Sequence, residues 1–175
     1  MLGWLVLIIA IDVHYVNDNA FAAGILFSDW ESDEIEDTAL KSIGEILPYE
    51  SGYFYKRELP CILALLSNLE TEIDTIIIDG FVTLGDLDKP GLGRYLYDHL
   101  DRRIPVVGVA KRSFYDTPAR CQVLRGESKM PLYVTAAGIS LEMAKNNITR
   151  MHGNFRMPTL LKKVDLLCGS GQVIH

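Results

Sequence analysis

Apolar residues along this chain fall into short runs that are separated by polar, glycine-containing or proline-containing stretches. Short apolar runs bounded by turn residues are typical of buried strands, and longer amphipathic stretches are typical of helices. The pattern predicts strands over residues 5–14, 20–27, 38–46 (with an ambiguous period), 73–79, 105–110 and 131–136. It predicts helices over residues 59–69, 94–103, 140–151 and 156–167.

The order of these elements predicts an α/β fold that begins with an antiparallel meander. Strands that alternate with helices favour parallel pairing, so the sheet is expected to be mixed. Residues 47–58 are predicted to form a loop, with Pro60 in the first turn of the helix that follows. Residues 81–93 are predicted as a loop, and residues 111–129 as a loop or hairpin. Ser140 is predicted to cap the third helix.

Composition and charge narrow the class of protein. A chain of 175 residues that is 49% hydrophobic is expected to form one domain over residues 1–175. The net charge of −6 argues against coating nucleic acid by bulk charge, but not against a nuclease that uses carboxylates. Basic residues in the second half, Arg125 and Arg156 among them, form either solvated surface or a strip that follows a nucleic-acid backbone.

The cysteines and the N-terminal residues indicate the cellular compartment in which the protein is expected. The three cysteines lack zinc-binding spacing and are expected to be buried or incidental thiols in a reducing, cytoplasmic compartment. The apolar residues 1–10 contain no basic residue, and Asp12 soon interrupts the run. A first strand is therefore expected instead of a signal peptide or membrane span, and no membrane partner is expected.

Charged residues interrupt or follow three of the apolar runs. They are Asp12, Asp79 and Lys111. A buried carboxylate must be paired, protonated or bound to a metal, so this set predicts a divalent-metal site at one edge of the sheet. Each aspartate alone would more simply form a turn or a helix cap, and Lys111 alone would be an exposed strand-end lysine.

Four short motifs occur in a set order along the chain. They are Ile-Ala-Ile-Asp-Val around Asp12, Pro48-Tyr49 followed by Gly52 and Arg57-Glu58, Ile78-Asp79-Gly80, and Gly108-Val109-Ala110-Lys111. Each motif is weak alone, but the ordered set resembles the endonuclease V family of deoxyinosine 3′ endonucleases. The resemblance covers nearly the whole chain, which is shorter than typical members. It implies a ribonuclease H-like mixed sheet flanked by helices.

The resemblance also implies an activity and a set of site residues. The activity is hydrolysis of phosphodiester bonds in DNA or RNA near deaminated (inosine) or distorted sites, with Mg²⁺ as cofactor and Mn²⁺ as substitute. Asp12, Glu58 and Asp79 would be catalytic metal ligands, and Asp165 a further metal-linked carboxylate on the last helix. Lys111 would bind the scissile phosphate or orient the water. Oxygen ligands suit Mg²⁺.

A wedge and a base pocket are implied as well. Tyr49 matches the family's tyrosine that inserts into the duplex, where an aromatic ring offsets part of the cost of unstacking a base. Gly52, Phe54 and Gly80 match positions that line the pocket, and Phe114 is expected to close it. For Tyr53 and Tyr55, half-buried packing is an equally good expectation.

The chain departs from the family around the site. Asp79-Gly80-Phe81-Val82 stands where members usually have Asp-Gly-His-Gly, and Glu50 adds a charge next to the wedge that would repel phosphates. Two alternatives therefore stay open. One is a catalytically weak or silent relative that only binds nucleic acid or a protein; the other is a different ribonuclease H-like nuclease that acts on RNA. The sequence does not indicate the oligomeric state.

Overall fold

A computed structural model describes residues 5–44 and 46–170, so residues 1–4 of the apolar N-terminal run lie outside the described residues. The strands are β1 Ile8–Val16, β2 Asn19–Phe27, β3 Asp37–Ile43, β4 Thr75–Asp79, β5 Thr83–Leu84, β6 Lys89–Pro90, β7 Val106–Ala110, β8 Gln122–Val123 and β9 Leu132–Ala137. The helices are α1 Phe54–Ser67, α2 Leu92–His99, α3 Leu141–Arg150 and α4 Thr159–Gly169. None of these helices is long and apolar enough to cross a membrane.

Seven strands form one mixed sheet in the order β3-β2-β1-β4-β7-β9-β8. The leading meander β1-β2-β3 is antiparallel, and β1, β4 and β7 are parallel neighbours. The mixed α/β arrangement predicted from the sequence is confirmed. β9 pairs antiparallel with β7, because the chain returns through a short 3-10 helix and β8 instead of the crossover helix that a parallel pair needs.

Helices cover both faces of the sheet, which explains why its central strands are apolar on both sides. Side chains alternate along β1, so Ile8 and Ala10 pack in a core with α3 and α4. Ile9 and Ile11 pack in the opposite core, with α1 and α2. The carboxyl ends of the central strands lie between these two layers of helices.

Helix α1 begins at Phe54, five residues before the predicted start. The prediction that Pro60 occupies the first turn is wrong, because Pro60 lies inside the helix. A proline there removes a backbone hydrogen bond and costs about 3 kcal/mol. Burial of Cys61, Ile62 and Leu65 against the sheet offsets that cost, so packing overrides the local preference.

Several other boundaries differ from the sequence predictions. β3 ends at Ile43, and residue 45 of the predicted strand lies outside the described residues. The predicted loop 81–93 contains the β5–β6 hairpin and the start of α2. The segment 111–129 contains the 3-10 helix Ala119–Cys121 and β8. Ser140 caps α3 as predicted, since its Oγ accepts a hydrogen bond from the Met143 amide at 3.1 Å.

Candidate active site

The register of the parallel strands brings Asp12 and Asp79 to the same edge of the sheet. Ile11 of β1 pairs with Ile78 of β4, so the two aspartates occupy the next position on neighbouring strands. Asp79 in turn pairs with Val109 of β7, and Lys111 follows two residues later. Strand pairing alone therefore places three of the predicted residues beside one another.

Glu58 joins this cluster from helix α1, with only 7% of its surface exposed. Burial, and then the charges of Asp12 and Asp79, raise the pKa of Glu58 to about 8. Burial, and then the nearby carboxyl groups of Asp79 and Asp165, raise the pKa of Asp12 to about 7. The charges of these neighbouring carboxyl groups therefore affect the pKa values of both Asp12 and Glu58.

Lys111 lies among these carboxylates. Its Nζ is 3.5 Å from Asp165 Oδ2 on α4 and 3.9 Å from Asp79 Oδ2. Burial raises the pKa of Asp79, and Lys111 opposes that effect while Asp165 adds to it. Asp165, predicted to be metal-linked, is in this structure a direct ion-pair partner of Lys111.

The donor set fits a hard divalent cation, because every candidate ligand is a carboxylate oxygen. Across residues 5–44 and 46–170, however, no three Asp, Glu, His or Cys side chains are grouped closely enough to hold a metal ion as they stand. The ammonium of Lys111 pairs with both Asp79 and Asp165. Ligation by Asp12, Glu58 and Asp79 together therefore requires rotation of side chains, and release of the protons that Asp12 and Glu58 hold near neutral pH.

The turn after Asp79 lies directly against β7. Gly80 has a φ of 141°, in the region that favours glycine, and its amide donates to the Val109 carbonyl at 3.1 Å. A Cβ added at Gly108 would lie 2.5 Å from the Gly80 carbonyl oxygen. Glycine at position 108 thus allows the close approach that orients Asp79.

A second feature, which we call the aromatic groove, adjoins the carboxylate cluster through Gly80, the residue after Asp79. Its volume is about 460 Å³. The structure places all five predicted nucleic-acid residues along it: Tyr49, Gly52, Phe54, Gly80 and Phe114. Tyr49 is 65% exposed at this groove and is free to contact a ligand.

Aromatic residues that the motifs did not single out complete the walls of the groove. The rings of Tyr55 and Tyr95 stack with centroids 3.8 Å apart, and Phe81 lies 6.4 Å from Phe114. Tyr95 was missed because it lies on α2, where nothing in the sequence marked it as part of a site. Phe81 was noticed only as a departure from the family pattern, although its ring forms part of this surface.

Glu50 does not present an isolated negative charge beside Tyr49. Its carboxylate pairs with Lys56 Nζ at 3.5 Å, and the same ammonium lies 4.0 Å from the centre of the Tyr53 ring. The pair is exposed and contributes little to stability. It nevertheless balances the charge that was expected to repel phosphates.

Comparison with known proteins gives consistent matches. The family model described as Endonuclease V matches residues 4–147. The endonuclease V of Rhodospirillum centenum is 28% identical over 159 residues, covering 79% of this chain and 65% of that protein. The endonuclease V of Haloarcula marismortui is 33% identical over 111 residues, covering 63% of this chain and 39% of that protein. The chain thus spans less than two thirds of either relative.

Solved structures agree with these sequence matches. Endonuclease V of Bacillus subtilis has a TM-score of 0.77 at 20% identity, covering 94% of this chain and 79% of that one. Endonuclease V of Ciona intestinalis, solved with a 23mer DNA containing an inosine, has a TM-score of 0.78 at 18% identity, covering 97% and 86%. The predicted ribonuclease H-like fold class is confirmed.

Proposed function

Because this chain belongs to the endonuclease V family, we propose that it is a metal-dependent endonuclease acting on nucleic acid near deaminated (inosine) or distorted sites. The observation that carries the proposal is the meeting of a carboxylate cluster, one lysine and an aromatic groove at one edge of the sheet. Hydrolysis needs charged groups that stabilise the negative charge on the phosphate in the transition state. Selection of an altered base needs a surface on which that base can stack.

Asp12, Glu58 and Asp79 would hold Mg²⁺, with Mn²⁺ as substitute. When bound, such a cation neutralises charge on the phosphate and makes a water molecule more acidic. The raised pKa values of Asp12 and Glu58 mean that these carboxyl groups hold protons near neutral pH until a cation competes for their oxygens. Metal affinity is therefore expected to increase with pH.

Lys111 would bind the scissile phosphate, for which an ammonium is a suitable point charge. Its Nζ is kept in the cluster by Asp165 and Asp79. A phosphate that enters there meets a lysine whose direction is already set, which lowers the cost of orienting it.

The aromatic groove would receive the altered base. Its volume falls within the range of about 300–1,000 Å³ that is usual for small-molecule sites. Tyr49, exposed beside it, would take the place of the displaced base in the stack. The inosine-containing DNA bound by the Ciona relative supports a deaminated base as the recognised feature.

One cleavage assay tests the proposal. DNA and RNA oligonucleotides with a single inosine, and matched plain strands, are incubated with Mg²⁺, Mn²⁺ or EDTA. We expect cleavage of the inosine strands that needs a divalent cation, and a loss of about 100-fold or more in Asp79→Asn. Asp101→Asn is the matched control, because Asp101 is exposed at the end of α2 and its φ of 55° suits asparagine.

Two results would contradict the proposal. One is undiminished turnover by Asp79→Asn, and the other is equal cleavage in EDTA. Tight binding of the inosine strands without any cleavage would favour the silent relative, and cleavage of RNA regardless of inosine would favour a different ribonuclease H-like nuclease.

A further inference from the structure

Arg156, in the segment between α3 and α4, contacts the backbone at the end of β7 and at the start of the neighbouring strand β9. Its Nη2 donates to the carbonyl of Lys111, directly after β7, and to the carbonyl of Pro131 at 2.8 Å, directly before β9. The side chain is half-buried and makes no ion pair among the described residues. The guanidinium of Arg156 thus binds backbone carbonyls of the protein instead of extending freely into solvent.

The segment that carries Arg156 is itself held in place. The guanidinium of Arg125 is buried, with the residue only 4% exposed. It donates to the carbonyls of Met151 at 2.5 Å, Gly153 at 3.0 Å and Phe155 at 2.6 Å. Charged donors make strong hydrogen bonds, so this loop offers a rigid support for the residue that follows it.

Lys111 is thus held at two points from one part of the chain. Arg156 binds its backbone carbonyl, and Asp165, nine residues further along, pairs with its Nζ at 3.5 Å. We propose that Arg156 is a positioning residue for Lys111: it fixes the end of β7, so that the lysine ammonium stays aimed at the phosphate site. This inference rests on the proposed function.

The expected effect is on turnover and not on substrate binding. A lysine side chain has many rotamers, so the position of its ammonium depends on where its backbone begins. A misplacement of about 1 Å in a reacting group can cost about 100-fold in rate. We expect Arg156→Met to lower kcat by about 10- to 100-fold and to change KM by less than about 3-fold. Arg156→Lys, which keeps one cationic donor, should fall between wild type and Arg156→Met.

A double-mutant cycle separates positioning from general damage. In a Lys111→Ala background, Arg156→Met should reduce the remaining rate by less than about 2-fold, because the residue through which it acts is gone. Arg150→Met is the control, since Arg150 is exposed and, within the described part of the chain, its guanidinium donates only to Asn147 Oδ1. An equal loss in both backgrounds, or an unchanged kcat in Arg156→Met, would overturn the inference.

A second measurement does not depend on cleavage. Amide hydrogen exchange of the peptide spanning residues 109–113 should be faster in Arg156→Met than in wild type, and unchanged in Arg150→Met. If wild type cleaves nothing, the proposed function fails. The exchange measurement still shows whether the hydrogen bond from Arg156 fixes the backbone at Lys111. Unchanged exchange in Arg156→Met would refute the role of Arg156 in fixing Lys111. Should Arg156→Met fail to fold, the same comparison is made with Arg156→Lys.

Discussion

Glu58→Gln replaces a buried, ionisable carboxyl group with an amide of nearly the same shape. Burial and the charges of Asp12 and Asp79 raise the pKa of Glu58 from its ordinary value of 4.5 to about 8. The folded protein therefore holds this proton more tightly than the unfolded chain does. Its contribution to stability is fully present below pH 4.5 and is lost as the pH rises towards 8. The metal-free protein should thus become less stable across this range.

The size of the effect follows from the two pKa values. At pH 7 the unfolded chain has released the proton while most folded molecules still hold it, which corresponds to a loss of about 3 kcal/mol relative to low pH. Relaxation of the side chains when they ionise reduces the loss below this figure. Glutamine does not titrate, so Glu58→Gln does not lose this part of the free energy of unfolding as the pH rises. Asp12 still titrates in both proteins.

Urea unfolding in EDTA at several pH values from 5 to 8 measures the difference. We expect Glu58→Gln to be more stable than wild type at pH 8, and the two to converge at pH 5. Glu70→Gln is the matched control, because Glu70 is exposed just beyond α1. Adding Mg²⁺ at pH 8 should stabilise wild type more than Glu58→Gln. Parallel pH–stability curves for wild type and Glu58→Gln would refute the reasoning.

Two further substitutions test the support of the site and the groove. Gly108→Ala would place a Cβ 2.5 Å from the Gly80 carbonyl oxygen, so we expect a loss of about 1–3 kcal/mol in thermal unfolding. Gly44→Ala should stay near wild type, because no atom of residues 5–44 and 46–170 would lie within 4 Å of its Cβ, apart from the chain neighbours. Tyr49→Ala should weaken binding of inosine strands by about 1–3 kcal/mol, measured by fluorescence anisotropy, because a stacking ring is lost. Tyr49→Phe should bind normally, and equal weakening in both Tyr49 variants would argue against stacking.

The sequence determined the central strands and the residues at their ends. Apolar runs of strand length are local features, and Asp12, Asp79 and Lys111 could be assigned to one edge because parallel strands share the direction of their carboxyl ends. Residue types with strong local preferences, such as Ser140 at its cap, were also predictable. The tyrosine and glycine positions of the groove came from the ordered motifs.

Only the tertiary structure decided features that depend on partners far apart in the chain. Helix α1 continues through Pro60 because its apolar face packs on the sheet. Tyr95 became part of the groove by stacking on Tyr55, 40 residues earlier in the numbering. Arg156 donates to the backbone carbonyl of Lys111, a contact across 45 residues. Local pattern carries no information on such pairs, because each residue's role is set by the long-range packing that brings its partner within reach.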